Sequence, residues 1–209
     1  MLTLEEYLRD PCGMLSIPYW KNKTLLIPEH IKIIHNSTFS AEMLENYHDE
    51  LYFRLFHNLK SVQTADLDGF SAETVKKDQL QIMESVINRS YSDLKVDIPL
   101  LESYTKTAVY KPELWIFIRE TVTGAIVGSG IADYDPEARE LTLEWIQVLP
   151  EYRRKKLGQL IVNELLKRGS AYARFATVSG KVNNFTKPEA LYRKCGFFGD
   201  DVWHILTLK

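Results

Sequence analysis

The stretch Val148-Leu149-Pro150-Glu151-Tyr152-Arg153-Arg154-Lys155-Lys156-Leu157-Gly158-Gln159 decides how this chain is read. An apolar strand stops at Pro150, a basic turn follows, and an amphipathic helix starts at about Leu157. Such a turn is an anion site by construction. The first N–H groups of a helix have no intrahelical acceptor, the helix dipole places partial positive charge there, and the neighbouring cations add to both. The anion that suits it best is a phosphate.

Reading outward, apolar residues recur at Leu157, Leu160, Ile161 and Leu165, the spacing of a helix over 157–167, with Gly169 expected just past its end as a C-cap. Upstream, the period changes to that of strands at 114–120, 126–134 and 141–148, joined by the turn residues Thr123-Gly124 and Asp135-Pro136-Glu137-Ala138. Three strands with short connections form an antiparallel meander. Downstream, 175–179 reads as a strand, 188–194 as a helix and 202–208 as a last strand. Strand–helix–strand after a meander implies a mixed sheet whose final crossover is parallel. Val75, Ile82, Met83, Val86, Ile87 and Tyr91 fall near one face if 72–92 is helical, and a second helix is expected over 97–105, starting after Pro99. Residues 51–59 have strand composition. Residues 1–50 are rich in Pro, Asn and aromatic side chains, with one strand expected at Ile31–His35. They read as an N-terminal extension packed on a core of 51–209.

The bulk numbers exclude several classes. With 209 residues, 45% apolar and 26% charged, the chain can bury a core, and a net charge of −2 argues against general nucleic-acid affinity. Two cysteines, Cys12 and Cys195, make neither a disulfide framework nor a metal knuckle. No apolar run reaches membrane-spanning length, and Glu5 and Glu6 stand where a secretion signal would be basic, so a cytoplasmic protein is expected. His35, His48, His57 and His204 lack ligand spacing, so no metal is expected. Trp115, Trp145 and Trp203 read as core or cleft walls, and the glycines of 124–130 lack the Lys-Ser/Thr partner of a P-loop.

One strand residue stands out. Glu144 lies inside Leu-Thr-Leu-Glu-Trp-Ile-Gln-Val, and a carboxylate in the middle of a central strand is costly unless it is partnered or used. Alternation puts it on the face of Thr142 and Ile146, unless a bulge intervenes.

The basic turn and the order of elements resemble the GNAT superfamily of acetyl-CoA-dependent N-acetyltransferases. That family's signature is Gln or Arg, two residues, Gly, one residue, then Gly or Ala, and here reads Arg153-Arg154-Lys155-Lys156-Leu157-Gly158. The flanking pattern V-x-P-E-Y-R is present as Val148 to Arg153. A second signature, an Asn loop followed by A-x-x-x-Y-x-K-x-G-F, appears as Asn183-Asn184 and Ala190-Leu191-Tyr192-Arg193-Lys194-Cys195-Gly196-Phe197, with Ala190 closer to the Tyr than usual. The resemblance spans 51–209. Its one clear departure is Lys156 where the signature has its first Gly.

The resemblance implies an α/β fold with a splayed mixed sheet flanked by helices. It also implies transfer of acetyl from acetyl-CoA to a primary amine, by direct attack in a ternary complex. Backbone groups of Ile146 and Val148 would pair with the pantetheine arm. The turn from Arg153 and Arg154 through Lys155, Lys156, Leu157 and Gly158 to Gln159 would hold the pyrophosphate, with amides of about 154–159 as donors. Asn184 would contact the CoA arm or cap its own loop. Tyr192 would act as general acid to the departing thiolate, or pack against pantetheine. Glu144 would serve as base through water, or as a structural ion-pair member. Cys195, inside the second signature, reads as a buried structural thiol rather than a nucleophile.

The acceptor, a small-molecule or peptide amine, stays open, as does oligomeric state, a homodimer included. From position, Trp20 and Tyr47 of the extension are expected to cover the acceptor site together with the helices of 72–105. A catalytically silent acyl-CoA sensor is the main rival. A nucleic-acid module built on 153–156 is opposed by the net charge and by the lack of interleaved aromatic residues beyond Tyr152.

Overall fold

A computed structural model describes residues 2–64, 66–91 and 94–209. In chain order the elements are α1 (Leu4–Arg9), α2 (Pro11–Met14), α3 (Tyr19–Asn22), β1 (Ile31–His35), β2 (Tyr47–His57), β3 (Phe70–Thr74), α4 (Leu80–Ser90) and α5 (Ile98–Tyr104). They continue as β4 (Trp115–Glu120), β5 (Ile126–Asp135), β6 (Glu140–Val148), α6 (Leu157–Gly169), β7 (Phe175–Lys181), α7 (Pro188–Lys194) and β8 (Phe198–Leu208). The class is the mixed α/β one expected from the sequence. The chain divides into two compact units, Asn58–Ala176 and the paired segments Met1–His57 and Thr177–Lys209. Met1 itself, the first residue of the expected extension, lies outside the described residues.

In the unit Asn58–Ala176 the strands run in the order β6-β5-β4-β3, antiparallel throughout. The meander is therefore as the turn residues predict, with a fourth strand that the sequence does not advertise. Residues 70–74, partly assigned to the helix expected over 72–92, instead pair with β4 from Phe70↔Glu120 to Thr74↔Ile116. The Val75 N–H continues this contact, donating to the Trp115 carbonyl at 2.8 Å. Its side chain enters the same core as Met83 and Ile87 of α4, so a strand end and a helix imitate one helical face. Ser92, the last residue of that expected helix, lies outside the described residues. Helix α5 starts ahead of Pro99, not after it. Asp97 caps it by accepting the Leu100 N–H at 2.9 Å, and Pro99 sits in the first turn, where no N–H is needed.

The two faces of this sheet are covered differently. On one, α6 lies against β4, β5 and β6, and a side chain added at Gly130 would overlap Ile161 of the helix. Gly169 is the last residue of α6, with Ser170 capping it, and a Cβ there would overlap the Leu141 side chain. Close packing, rather than the expected cap geometry, requires glycine at this position. On the other face, Val75, Met83, Ile87, Val96, Leu101, Trp115, Phe117 and Ile131 form a buried core with α4 and α5, bordered by Tyr91, Tyr104, Tyr110 and Trp145.

In the other unit the strand order is β1-β8-β2-β7. Both β1 and β2 pair antiparallel with β8, for example at Ile31↔Thr207 and Leu51↔His204. The crossover β7–α7–β8 thus steps over β2, a strand from the other end of the chain. Arg54 of β2 is fully buried and donates to the Tyr7 hydroxyl (3.0 Å), the Pro11 carbonyl (3.3 Å), Thr177 Oγ1 (3.2 Å) and Ser179 Oγ (3.1 Å). Through it, α1 and α2 are tied to β2 and β7. Residues 1–50 contribute α1, α2, α3, β1 and the start of β2. Among the described residues, no helix is long and apolar enough to cross a membrane.

Candidate active site

After β6, residues Pro150–Tyr152 make a single 3₁₀ turn and Arg153 is extended. Arg154 (φ 66°) and Lys156 (φ 62°, ψ 9°) are both left-handed. Lys156 is the N-cap of α6 and gives it no side-chain cap. Alternating conformations of this kind turn successive N–H groups toward one side and form an anion-binding nest. Among the described residues, the N–H groups of Arg154, Lys155, Lys156, Leu157 and Gly158 donate to no protein acceptor, whereas Gln159 and Leu160 already bond to the Lys156 carbonyl at 3.0 and 3.1 Å. The left-handed φ at Lys156 supplies a conformational reason for a glycine in the signature, and here a lysine bears that strain.

The four cations of the turn have different uses. Arg154, Lys155 and Lys156 are exposed, with Lys155 Nζ 4.7 Å from the centre of the Tyr152 ring. Arg153 folds back instead, its Nε donating to the Val148 carbonyl (3.3 Å) and its Nη2 to the Ser90 carbonyl (2.7 Å). It anchors the turn to the ends of β6 and α4. A second tie is the Arg89–Glu151 ion pair at 2.7 Å.

Strand β6 carries a bulge at Glu144. Trp145 pairs with Ile131 of β5 and Leu143 with Ala132, so Glu144 is the extra residue of β6 between two successive cross-strand pairs. The extra residue inverts the alternation. Thr142 and Trp145 share the face of Ile131, while Ile146 lies on the opposite face with Leu143. The expected common face of Thr142, Glu144 and Ile146 is therefore corrected. The Ile146 carbonyl accepts the Tyr91 hydroxyl at 3.4 Å and the Val148 carbonyl accepts Arg153 Nε, each keeping a second lone pair.

The face of β5 and β6 that meets α4 and α5 is more polar than a core face should be. Asp133 lies directly opposite Thr142, next to the bulge at Glu144. Tyr104, on α5, packs against the same core, and burial together with the charges of Glu144 and Asp133 pushes its phenol up from its ordinary value. The Thr142 hydroxyl is buried without a hydrogen-bond partner, as are Trp115 Nε1 and Gln147 Oε1. Trp145 meets Tyr91 edge-on, 5.9 Å between ring centres. Buried polar atoms without partners are unusual in folded proteins, and three of them lie on this face.

In the other unit, Tyr192 is buried on α7, its ring 6.2 Å from Phe53 and 5.8 Å from Phe197. Asn184 caps its own loop: its carboxamide oxygen accepts from the Thr186 N–H (2.9 Å) and hydroxyl (2.7 Å). Cys195 is buried, and desolvation pushes its thiol up to about 12, which suits the structural reading over the nucleophilic one. His57 is buried beside it, its imidazole pushed below the ordinary value by desolvation, partly countered by a hydrogen bond with the Cys195 backbone.

Sequence reasoning found Glu144 and the turn but missed Asp133, Thr142, Tyr91 as a ligand of the Ile146 carbonyl, and Tyr104. Asp133 carried the same signal as Glu144, a carboxylate two residues from Ile131 inside a strand. Tyr104 carried none, because its importance comes from where α5 lies.

Residues 111–197 match the family model described as acetyltransferase (GNAT) domain. Comparison with curated proteins gave no match. Among solved structures, the chain is similar to a GCN5-related N-acetyltransferase from Sphaerobacter thermophilus, with TM-score 0.70 and 18% identity over 89% of this chain and 62% of that one. It is also similar to a GNAT-family acetyltransferase from Colwellia psychrerythraea (TM-score 0.64, 13% identity, 91% of this chain and 69% of that one). A third is a GCN5-related N-acetyltransferase from Kribbella flavida (TM-score 0.58, 13% identity, 85% and 67%). The chain spans less than two thirds of the length of the Sphaerobacter structure. At these identities the likeness is one of fold.

Proposed function

We propose, from the match of residues 111–197 to the GNAT acetyltransferase domain model, that this chain transfers acetyl from acetyl-CoA to a primary amine by direct attack in a ternary complex. The observation that carries the proposal is the nest at 154–158. Five N–H groups without protein acceptors lie at the start of a 13-residue helix, beside three exposed cations. A diphosphate fits that donor set, since it offers several anionic oxygens to fixed N–H groups and to a helix N-terminus.

In this reading the backbone of Ile146 and Val148 aligns the pantetheine arm, using the lone pairs and N–H groups left after the Tyr91 and Arg153 contacts. The amine loses a proton toward Glu144, directly or through one water, and its nitrogen lone pair attacks the thioester carbonyl carbon. The C–S bond of the tetrahedral intermediate then breaks, the sulfur receives a proton from the Tyr192 hydroxyl, and the nitrogen gives up the extra proton it kept when the N–C bond formed, which returns Tyr192 to its neutral form. A phenol's ordinary pKa of about 10 lies close enough to that of a thiol for the donation to cost little. Arg153 acts at a distance from the reaction, by fixing the turn on the ends of β6 and α4.

The test measures release of free CoA thiol against a panel of primary amines, next to the shift in melting temperature produced by acetyl-CoA. Turnover with Tyr192→Phe slowed at least about tenfold, as expected when a general acid is removed, supports the proposal. Failure of acetyl-CoA to stabilise the chain would sink it. Stabilisation without turnover on any amine would leave an acyl-CoA-binding sensor.

A further inference from the structure

Strand β2 carries Phe53, Leu55 and His57 two residues apart, all of them buried and on one face, and two of the three reach the surroundings of Tyr192. We infer that His57 is a positioning residue: it holds the C-terminal end of α7 and the Phe197 ring so that the Tyr192 phenol is fixed for proton donation to the departing thiolate. The inference rests on the acetyl-transfer reading, which gives Tyr192 that task. All the residues involved belong to one compact unit, Met1–His57 with Thr177–Lys209.

The rings form a chain. His57 lies 5.2 Å from Phe197, Phe197 5.8 Å from Tyr192, and Tyr192 6.2 Å from Phe53, so two residues of one strand flank the Tyr192–Phe197 pair. The backbone closes around the same tyrosine. Its carbonyl accepts the N–H groups of Cys195 (2.9 Å) and Phe197 (3.1 Å), and the Arg193 carbonyl accepts that of Gly196 (3.1 Å). The His57 imidazole bonds to the backbone of Cys195, the residue that caps α7. That bond favours the protonated ring, so the ring donates and the Cys195 carbonyl accepts. The approach is close: a Cβ on Gly196, whose φ of +93° already favours glycine, would stand 2.9 Å from His57 Nε2.

These contacts bear on catalysis because of what α7 lacks. A helix of seven residues has little order of its own, and its other end starts from Lys187, left-handed and without a side-chain cap. The Cys195 end is therefore the anchored one. His57 is 2% exposed and Cys195 1%, which leaves little room for water to take over a lost donor. Removing the imidazole N–H strands a buried carbonyl at the end of the helix that carries Tyr192. A general acid works only within hydrogen-bond reach of the atom it protonates, and a displacement of about 1 Å can cost about a hundredfold in rate. Burial favours the neutral imidazole, so His57 orders the helix end without placing a charge beside the phenol. It acts only through Tyr192.

The experiment measures kcat and KM for acetyl-CoA, with an amine that the wild type acetylates and the full chain, for His57→Met and His57→Gln, alone and combined with Tyr192→Phe. Met fills the space with an adaptable apolar side chain and removes the donor. His57→Met should lower kcat by about threefold to tenfold and leave KM within about twofold. His57→Gln keeps an N–H for the Cys195 carbonyl and should recover most of kcat. In the Tyr192→Phe background, His57→Met should cost less than about twofold more, because no phenol is left to place. Melting temperatures establish that the variants fold, and His57→Leu replaces His57→Met if that one does not. An equal loss in both backgrounds, a rise in KM with kcat unchanged, or a Gln variant as slow as the Met variant overturns the positioning role and leaves acetyl transfer standing. A Tyr192→Phe enzyme as fast as the wild type overturns the acid role and this inference with it. Wild-type protein that turns over no amine overturns the transfer reading itself, and His57 then has no reaction to serve.

Discussion

Lys156 offers the sharpest test of the turn, because backbone and charge make opposite demands on it. Its φ of 62° is left-handed, where a Cβ crowds the following carbonyl and costs about 1–2 kcal/mol relative to glycine. Glycine relieves that cost but adds freedom to the unfolded chain, a loss of about 0.5–1 kcal/mol. The difference predicts that Lys156→Gly stabilises the protein by about 0.5–1 kcal/mol. For a chain of this size that is a rise in melting temperature of about 1–4 °C, read by calorimetry without ligand. Lys156→Ala keeps the strain and removes the same charge, so its melting temperature should stay near the wild type. Both variants should weaken acetyl-CoA binding by the same small factor, about two- to threefold at low salt and less at high salt, because an exposed cation contributes under about 1 kcal/mol. The reasoning is refuted if Lys156→Gly melts below Lys156→Ala, since the left-handed turn would then not exist in solution. A much larger loss of affinity in both variants would show the ammonium directly on a phosphate.

Three further outcomes follow from packing and titration. Gly169→Ala should lose about 1–3 kcal/mol in urea unfolding, because the new methyl overlaps Leu141; an unchanged midpoint would restore the helix-cap explanation. Cys195, its thiol held up to about 12 by burial, should resist alkylation in the folded protein at pH 8 and react only on unfolding, and an acyl-enzyme trapped on it would contradict the direct-attack mechanism. His57 has its folded pKa lowered from 6.5 by desolvation, so the unfolded state binds the extra proton first. Its contribution to stability is complete above about pH 6.5 and declines as the pH falls toward the folded value. His57→Gln should therefore flatten the melting temperature against pH below about 6.5, and an unaltered slope would assign the acid sensitivity elsewhere.

How much of this was readable in the sequence depends on the range of the interactions involved. The meander and α6 were readable because each repeats its period over many residues and is bounded by turn chemistry, as at Thr123-Gly124 and Pro150. β3 was not, since Phe70–Thr74 is a strand only by virtue of β4, and Val75 at its end copies a helical position. The turn was readable as an anion site, yet neither the left-handed φ of Lys156 nor the retreat of Arg153 to the Ser90 carbonyl is written in a run of four cations. The Glu144 carboxylate was conspicuous, but one bulge inverts every side chain beyond it, and no local signal marks the bulge. The placing of β2 between β8 and β7 was invisible for the same reason: pairing across some 150 residues, as at Leu51↔His204, leaves no trace in a window of ten.

That strand placement governs the order in which the chain can be completed during synthesis. β1 pairs with β8, and β2 lies between β8 and β7, so the partners of both are made only after Asn58–Ala176 has been largely synthesised. All the strands paired within Asn58–Ala176 precede β8 in the chain. Those two strands, β1 and β2, have open hydrogen-bonding edges while Asn58–Ala176 is translated, the circumstance in which strand edges recruit wrong partners. Pairing of the eleven-residue β8 with β1 and β2 is the long-range contact that completes this unit.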